Sequence, residues 1–272
     1  MKKFLVTGSK GFIGSNLISE LLNLGHKVIS IDDEYLNKKD WKSELTKTLN
    51  QKFNCVFHVG ACSDTLKTDV NYMMLRNYET TKFISDWCRK NNTPLIYSSS
   101  AANYGVNNQY PSNLYGWSKY VGESYVVANL GIGLRYFNVY GPGESHKGRM
   151  ASVAYQMFLK QKSGEQCFLF PKKPLRDFVY VKDIVSANIY AYKNFNKNKG
   201  KWFEVGSGKA RSFEDVLQLM GIPFTYESLT SIPYGYQFYT CSNKSKWIPG
   251  WKPLWNLKKG IGDYKKYLYI TK

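Results

Sequence analysis

Tyr115 and Lys119 stand four positions apart in the segment SSSAANYGVNNQYPSNLYGWSK, which runs from Ser98 to Lys119. On a helix this spacing turns both side chains onto one face. A phenol ionises near ~10 and is a poor base at neutral pH, but a neighbouring ammonium stabilises the phenolate and lowers that value. Such a pair can take the proton of a substrate hydroxyl while hydride leaves the same carbon. A serine beside it can orient that hydroxyl, and Ser100 is placed to do so. The run Pro94-Leu-Ile-Tyr-Ser98 reads as a strand whose end carries Ser98, Ser99 and Ser100. Spacing alone does not select the pair, because it recurs at Tyr35/Lys39 and Tyr78/Lys82 in a chain with 22 tyrosines. Only Tyr115 follows a strand end bearing hydroxyls.

Those groups need a scaffold that gathers strand ends. Lys3 to Thr7 is a β-rich run, followed by Gly8-Ser-Lys-Gly11-Phe-Ile-Gly14 and a segment in which Ile13, Leu17, Leu21 and Leu24 recur at helical spacing. Gly25 closes that helix, and Lys27-Val-Ile-Ser-Ile31 supplies a second strand before Asp32 and Asp33. Glycines in such a turn let the backbone approach a pyrophosphate whose charge meets the helix N-terminus, and an acid ending the next strand binds a ribose hydroxyl. The alternation continues through strands at 53–59, 94–98 and 133–137 and helices at 72–90 and 115–129. It predicts an α/β fold, a Rossmann-type doubly wound parallel sheet with a smaller C-terminal substrate lobe. Residues 1–139 are expected to form the dinucleotide-binding domain, with 177–196 returning to it, and 140–272 mainly the substrate lobe. The interval from Ile31 to Phe53 is too short for a helix, a strand and a second helix, so that edge of the sheet is expected to be abbreviated.

Composition narrows the function. The five cysteines are scattered without a C-x-x-C pair, and the three histidines are far apart, so neither a disulfide framework nor a metal site is expected. The formal net charge of +18 raises nucleic-acid binding, but no zinc-finger spacing, RNP sequence or basic heptad helix accompanies it. A lysine-rich surface that attracts an anionic substrate is the expected reading, with no nucleic-acid partner. No apolar run is long enough to span a bilayer, and the apolar stretch after Met1-Lys-Lys ends at Thr7-Gly8, so no membrane insertion and a cytoplasmic location are expected.

Several segments occur in order along most of the chain: Gly8-x-x-Gly11-x-x-Gly14, Gly60-Ala61, Ser99-Ser-x-x-x-Tyr-Gly105, Tyr115-x-x-x-Lys119, Arg135-Tyr-Phe-Asn-Val-Tyr-Gly141-Pro and Arg176-Asp-Phe-Val-Tyr-Val181-x-Asp183. Together they resemble the extended short-chain dehydrogenase/reductases of the nucleotide-sugar epimerase/dehydratase family. His146-Lys147-Gly148, followed by Met150-Ala-Ser-Val-Ala154, with Gly60-Ala-Cys-Ser63 and Tyr72-Met-Met74, looks most like the branch that inverts C6 of an ADP-linked heptose.

The resemblance implies transient oxidation of the sugar to a carbonyl and return of hydride to the opposite face. Tyr115, Ser100 and Lys119 would serve one side of the carbinol, and Lys147 the other. It also implies a dinucleotide held by Gly8, Gly11, Phe12, Ile13 and Gly14 at the pyrophosphate and by Asp32 and Asp33 at the ribose, with Lys38 or Lys39 at a 2′-phosphate. Ala61, Cys62, Ser63, Asn77, Lys119, Val139 and Lys147 would line the rest. NADP is the expected cofactor, with NAD compatible. Asn138, Arg149, Gln156, Phe170, Arg176 and Tyr236 would meet the nucleotide sugar, and a homo-oligomer is expected. The chain departs from the resembled pattern at Arg149, where serine is usual, and at Gln156, where histidine is usual. A sugar dehydratase usually carries Asp-Glu after its strand-end hydroxyl, whereas this chain has Ala101-Ala102. A 4-epimerase or reductase needs only the Ser/Tyr/Lys set, and a non-catalytic dinucleotide-binding module needs none of it.

Overall fold

The computed structural model describes residues 1–106, 109–231 and 237–270. The β-rich run at the start forms β1 (Lys3–Thr7), and the glycine turn leads into α1 (Phe12–Asn23) and β2 (Lys27–Ile31). A 3-10 turn (Asp33–Asn37) and the short helix α2 (Trp41–Leu49) then precede β3 (Cys55–His58). The stretch expected as one helix over 72–90 is α3 (Val70–Met74) and α4 (Thr80–Lys90), joined by a π-helical turn at Leu75–Glu79. After it come β4 (Leu95–Ser100), α5 (Leu114–Ala128) and β5 (Ile132–Tyr136).

Five of these strands and a sixth from later in the chain, β9 (Lys201–Val205), make one parallel sheet in the order β2-β1-β3-β4-β5-β9. The doubly wound α/β reading is therefore observed, with β2 as the edge strand that the short Ile31–Phe53 interval required. Alternate residues of β1 serve opposite faces, as strand periodicity dictates. Phe4 and Val6 pack with Leu17 and Leu21 of α1, while Leu5 packs with Leu45 and Leu49 of α2 and Ile84 of α4. All eight are at most 1% exposed.

The second half continues with β6 (Asn138–Tyr140), α6 (Val153–Lys162), β7 (Phe168–Leu169), β8 (Leu175–Tyr180), α7 (Val181–Lys193) and α8 (Phe195–Asn198). It ends with β9 (Lys201–Val205), β10 (Ala210–Ser212), α9 (Phe213–Met220), β11 (Thr225–Tyr226) and α10 (Leu257–Ile270). Helix α7 packs beside α1. Strands β10-β8-β6 form a separate sheet. Phe178 and Tyr180 of β8 join Val216, Leu217, Ile261 and Tyr264 in a second core, while Val179 between them faces the first. No helix among the described residues is long and apolar enough to cross a membrane.

Candidate active site

The chain runs from β1 outward to β2 and then returns to the other side of β1 at β3. Ligands of doubly wound sheets sit at such a reversal, beyond the carboxyl ends of the strands. Here the two ends press together: Gly8 has φ +67°, and a Cβ on it would lie 2.6 Å from Gly60 Cα. Gly11 begins α1 with no side-chain capping bond, so the amides of the first turn remain directed at the cavity that Gly8 and Gly11 to Gly14 line. That cavity has a volume of about 580 Å³. Its glycine wall and bare helix N-terminus fit the diphosphate of a dinucleotide.

A buried polar chain fixes the adjoining wall. The Gly60 amide donates to Thr7 Oγ1 at 3.0 Å, and Thr7 Oγ1 lies 2.7 Å from His58 Nδ1. On the other ring edge, His58 Nε2 lies 2.8 Å from Thr81 Oγ1, whose hydroxyl donates to the Asn77 carbonyl at 2.7 Å. The Thr81 proton is committed to Asn77, so Thr81 must accept from Nε2–H, and Thr7 must donate to Nδ1. This network suits a neutral His58 with its proton on Nε2. Burial, reinforced by the Lys119 charge, pushes its pKa down to about 3. Asn77 extends the chain, accepting from the Cys62 amide at 2.7 Å and donating to the Cys62 carbonyl and to Ser118 Oγ, each at 2.9 Å. Ser118 in turn donates to the Tyr115 carbonyl at 2.7 Å. Asn77 thus holds the wall from behind, whereas the sequence reading placed it on the surface facing the cofactor.

Tyr115 sits in the first turn of α5, which Asn113 caps by accepting from the Gly116 amide at 2.8 Å. Gly116 allows this turn to approach the end of β4, since a Cβ there would lie 2.7 Å from the Ala102 carbonyl. Ser100, whose Oγ accepts from the Ala102 amide at 3.1 Å, lies within hydrogen-bonding reach of Tyr115. Lys119 follows one turn later, 2% exposed, with its ammonium 4.3 Å from the Tyr97 ring centroid. Burial pushes its pKa down to about 7, against the pull of Glu123.

Tyr115 behaves differently from the sequence expectation of a lowered pKa. Burial raises it, with Ser100 working in the opposite direction. Burial drives both Tyr115 and Lys119 toward their neutral forms.

Lys147 reaches the same cavity from a 3-10 turn at Ser145–Met150 that is kinked at Gly148. Its ammonium lies 5.5 Å from the Phe12 ring centroid. Burial lowers its pKa, and Glu144 opposes that shift. Glu144 is fully buried and shapes the turn. Its carboxylate accepts from the amides of Gly141 (3.3 Å) and Ser152 (2.5 Å) and from the hydroxyls of Ser152 (2.7 Å) and Tyr264 (3.0 Å). Its carbonyl accepts from the Lys147 amide at 3.0 Å.

Arg149 also lines the cavity, and its guanidinium donates to Asp64 Oδ2 at 2.9 Å, tying this turn to the loop after β3. That hydrogen bond holds Asp64 below the usual carboxylate range.

Of the residues singled out from sequence, the cavity brings together Gly8, Gly11, Phe12, Ile13, Gly14, Asp32, Asp33, Ala61, Cys62, Ser63, Tyr115, Lys119, Lys147 and Arg149. Lys38 is not in its lining and pairs with Glu44 at 3.1 Å. Val139 packs on the first core. Gln156 donates to the carbonyls of Arg149 (3.2 Å) and Ala151 (2.7 Å), closing the turn from behind.

Asn138 and Arg176 lie on β6 and β8 of the smaller sheet, away from the cavity lining, and Phe170 follows β7. Arg176 donates to the carbonyls of Leu175 and Gln237. Its neighbour Asp177 is fully buried and accepts from Ser207, Gly208 and Ser242. Tyr236 lies outside the described residues.

The sequence reading did not single out Lys10, Arg76, Glu144 or the His58 relay. Arg76 had one available signal, a cation immediately before Asn77. Among the described residues, no group of His, Cys, Asp and Glu side chains is clustered to hold a metal ion.

Residues 4–206 match the NAD dependent epimerase/dehydratase family. The ADP-L-glycero-D-manno-heptose-6-epimerase of Brachyspira hyodysenteriae is 36% identical over 310 aligned positions, which cover 97% of this chain and 97% of that protein. The crystal structure of the Helicobacter pylori ADP-L-glycero-D-manno-heptose-6-epimerase superposes with a TM-score of 0.87 at 28% identity, covering 98% of this chain and 96% of that one. The UDP-glucose 4-epimerase of Thermotoga maritima, solved with UDP-glucose, shares the fold with a TM-score of 0.85 at 23% identity over 99% of each chain.

Proposed function

The chain belongs to the NAD dependent epimerase/dehydratase family, and we propose that it epimerises a nucleotide-linked sugar, specifically an ADP-bound glycero-manno-heptose at C6. The observation that carries this reading is the meeting in one cavity of Tyr115 and Lys119, from α5, with Lys147, from a turn in the other half of the chain. Separate proton-handling groups on the two faces of a carbonyl let inversion proceed without one group serving both faces. Two independently positioned groups suit that scheme, and a 4-epimerase or reductase has no use for Lys147. Likeness to the heptose epimerases over nearly the whole chain supports the choice of sugar.

The roles follow from the chemistry of each side chain. Tyr115 takes the hydroxyl proton as the phenolate paired with a charged Lys119, and Ser100 orients that hydroxyl. Lys147 handles the proton when the opposite face is used. The nicotinamide, when bound, accepts the hydride and returns it. Gly8 and Gly11 to Gly14 hold the pyrophosphate, Asp32 and Asp33 face the adenosine ribose, and Ala61, Cys62 and Ser63 line the nicotinamide half. Cys62 is fixed through Asn77. Arg149 meets the sugar, while Asn138, Gln156, Phe170, Arg176 and Tyr236 belong to the nucleotide side.

The cofactor in this reading is NADP, and its support is the presence of a cation, Arg76, among the acids at the ribose end. The protein works as a cytoplasmic homo-oligomer. Exposed Tyr110 and Trp117, stacked at 6.2 Å between ring centroids, offer an aromatic surface for self-association.

The test is incubation with a panel of ADP-heptoses and UDP-hexoses, reading the stereochemistry of the products by NMR. Interconversion of the D-glycero and L-glycero heptoses is expected. Inversion at C4 of a hexose without action on the heptose, or loss of water from the sugar, would overturn the reading.

A further inference from the structure

The end of the cavity beyond the glycine turn is rich in acids, with Asp32, Asp33 and Glu34 all in its lining. In strand–turn–helix sites, the acid closing the second strand accepts the adenosine 2′-hydroxyl and repels a 2′-phosphate. Hydrogen bonding changes that balance here. Asp32 has both carboxylate oxygens engaged by backbone donors, the amides of Lys10 at 2.6 Å and Asp33 at 3.0 Å, so its charge is built into the turn. Asp33 is the more available carboxylate, 58% exposed, and Arg76 meets it with Nε 3.2 Å from Oδ2. Lys10, also in the lining, pairs with Glu34, and Lys38, outside it, pairs with Glu44.

Arg76 is also held in place from below. Its guanidinium lies 3.8 Å from the centroid of the Tyr72 ring, a stacking distance, and its side chain is only 14% exposed although it lines the cavity. Stacking keeps the planar fork in one orientation, and a guanidinium so fixed presents its remaining N–H groups to oxyanions with little further loss of freedom. Residue 76 projects from the π-helical turn that precedes α4, so this cation arrives from a different element than the loop lysines Lys38 and Lys39.

We infer that Arg76 is the residue that sets cofactor choice, offsetting the charge of Asp33 and accepting the ribose 2′-phosphate of NADP. This rests on the dinucleotide reading of the cavity. Without Arg76, Asp33 would face the ribose as an uncompensated acid, which favours the hydroxyl of NAD. Without Asp33, the guanidinium would be released toward the phosphate.

Equilibrium titration of NAD and NADP, followed by calorimetry, tests the inference on the native protein and on Arg76→Leu and Asp33→Asn. The native protein is expected to bind NADP at least as tightly as NAD. Arg76→Leu is expected to weaken NADP by ~10-fold or more, the lower end for a lost hydrogen bond to a charged group, while retained NAD binding reports an intact fold. Asp33→Asn is expected to move the preference further toward NADP. An NADP-to-NAD affinity ratio that Arg76→Leu leaves unchanged, or a native protein that takes only NAD, overturns the assignment of Arg76. Native protein that binds neither dinucleotide overturns the cavity reading itself, so the two failures are distinguishable.

Discussion

Lys119 and Lys147 bring two ammonium groups to one cavity by opposite structural means. Lys119 rides on α5, a 15-residue helix, where its position follows from helical periodicity and from the close approach of Gly116 to the end of β4. Lys147 rides on a short kinked turn whose shape depends on Glu144, a buried carboxylate with contacts reaching as far as Tyr264 in α10. A helix supplies its own hydrogen bonds. The turn must import them. One side of the proposed reaction centre is therefore robust to local change, and the other is controlled by residues remote from it in sequence.

The largest expected effect separates the two sides by chemistry. Tyr115→Phe is expected to retain dinucleotide binding and to lose at least ~100-fold of turnover, the low end for acid–base catalysis. It should lose the oxidation half-reaction along with net inversion. Lys147→Ala is expected to lose net inversion while keeping part of the oxidation, seen as reduced cofactor accumulating in single-turnover absorbance. A Lys147→Ala protein that inverts its substrate at the native rate would remove the distinction between the sides.

A smaller effect is expected from the residue that shapes the turn. Glu144→Gln keeps the size of the side chain but replaces one accepting oxygen with a donor, which then faces either the Ser152 amide or the donors of Gly141, Tyr264 and the Ser152 hydroxyl. A buried unsatisfied polar group costs about 1–3 kcal/mol. Chemical denaturation should show a loss of this order, and turnover should fall by about tenfold as Lys147 loses its fixed position. Unchanged stability together with unchanged turnover would mean that the turn holds its shape without the carboxylate.

The same contrast explains what could be seen in the sequence. The glycine turn, the strand end at Ser100 and the Tyr115/Lys119 helix are local patterns in which each residue's place follows from its neighbours, and the structure forms all three. Lys147 was visible only through family resemblance, because nothing adjacent to it reveals that Glu144 and Tyr264 build its turn. Lys38 reads as a free cation until α2, unforeseen in so short an interval, places Glu44 beside it. Arg76 was passed over because its partners, Asp33 and Tyr72, lie on a different loop and on the preceding helix turn. His58, read from sequence as one of three unrelated histidines, has meaning only once β1, β3 and α4 are adjacent.

The Lys119 ammonium is held down to about 7 by burial, well below the ordinary lysine value of 10.5. Between those values the unfolded chain binds more protons than the folded one, so this group makes the fold more stable as pH rises from 7 toward 10.5 and least stable below 7. Lys147, also lowered, acts in the same direction. The buried thiols Cys55 and Cys88, raised by burial, act in the opposite direction once their unfolded forms ionise. The native curve alone therefore mixes opposing contributions. The difference between native protein and Lys119→Met, measured by denaturant unfolding at intervals from pH 7 to 9, isolates the lysine. Lys119→Met is expected to be more stable than native protein at pH 7, with the gap narrowing as pH rises. A gap independent of pH would mean that the Lys119 ammonium is solvated through the cavity it lines.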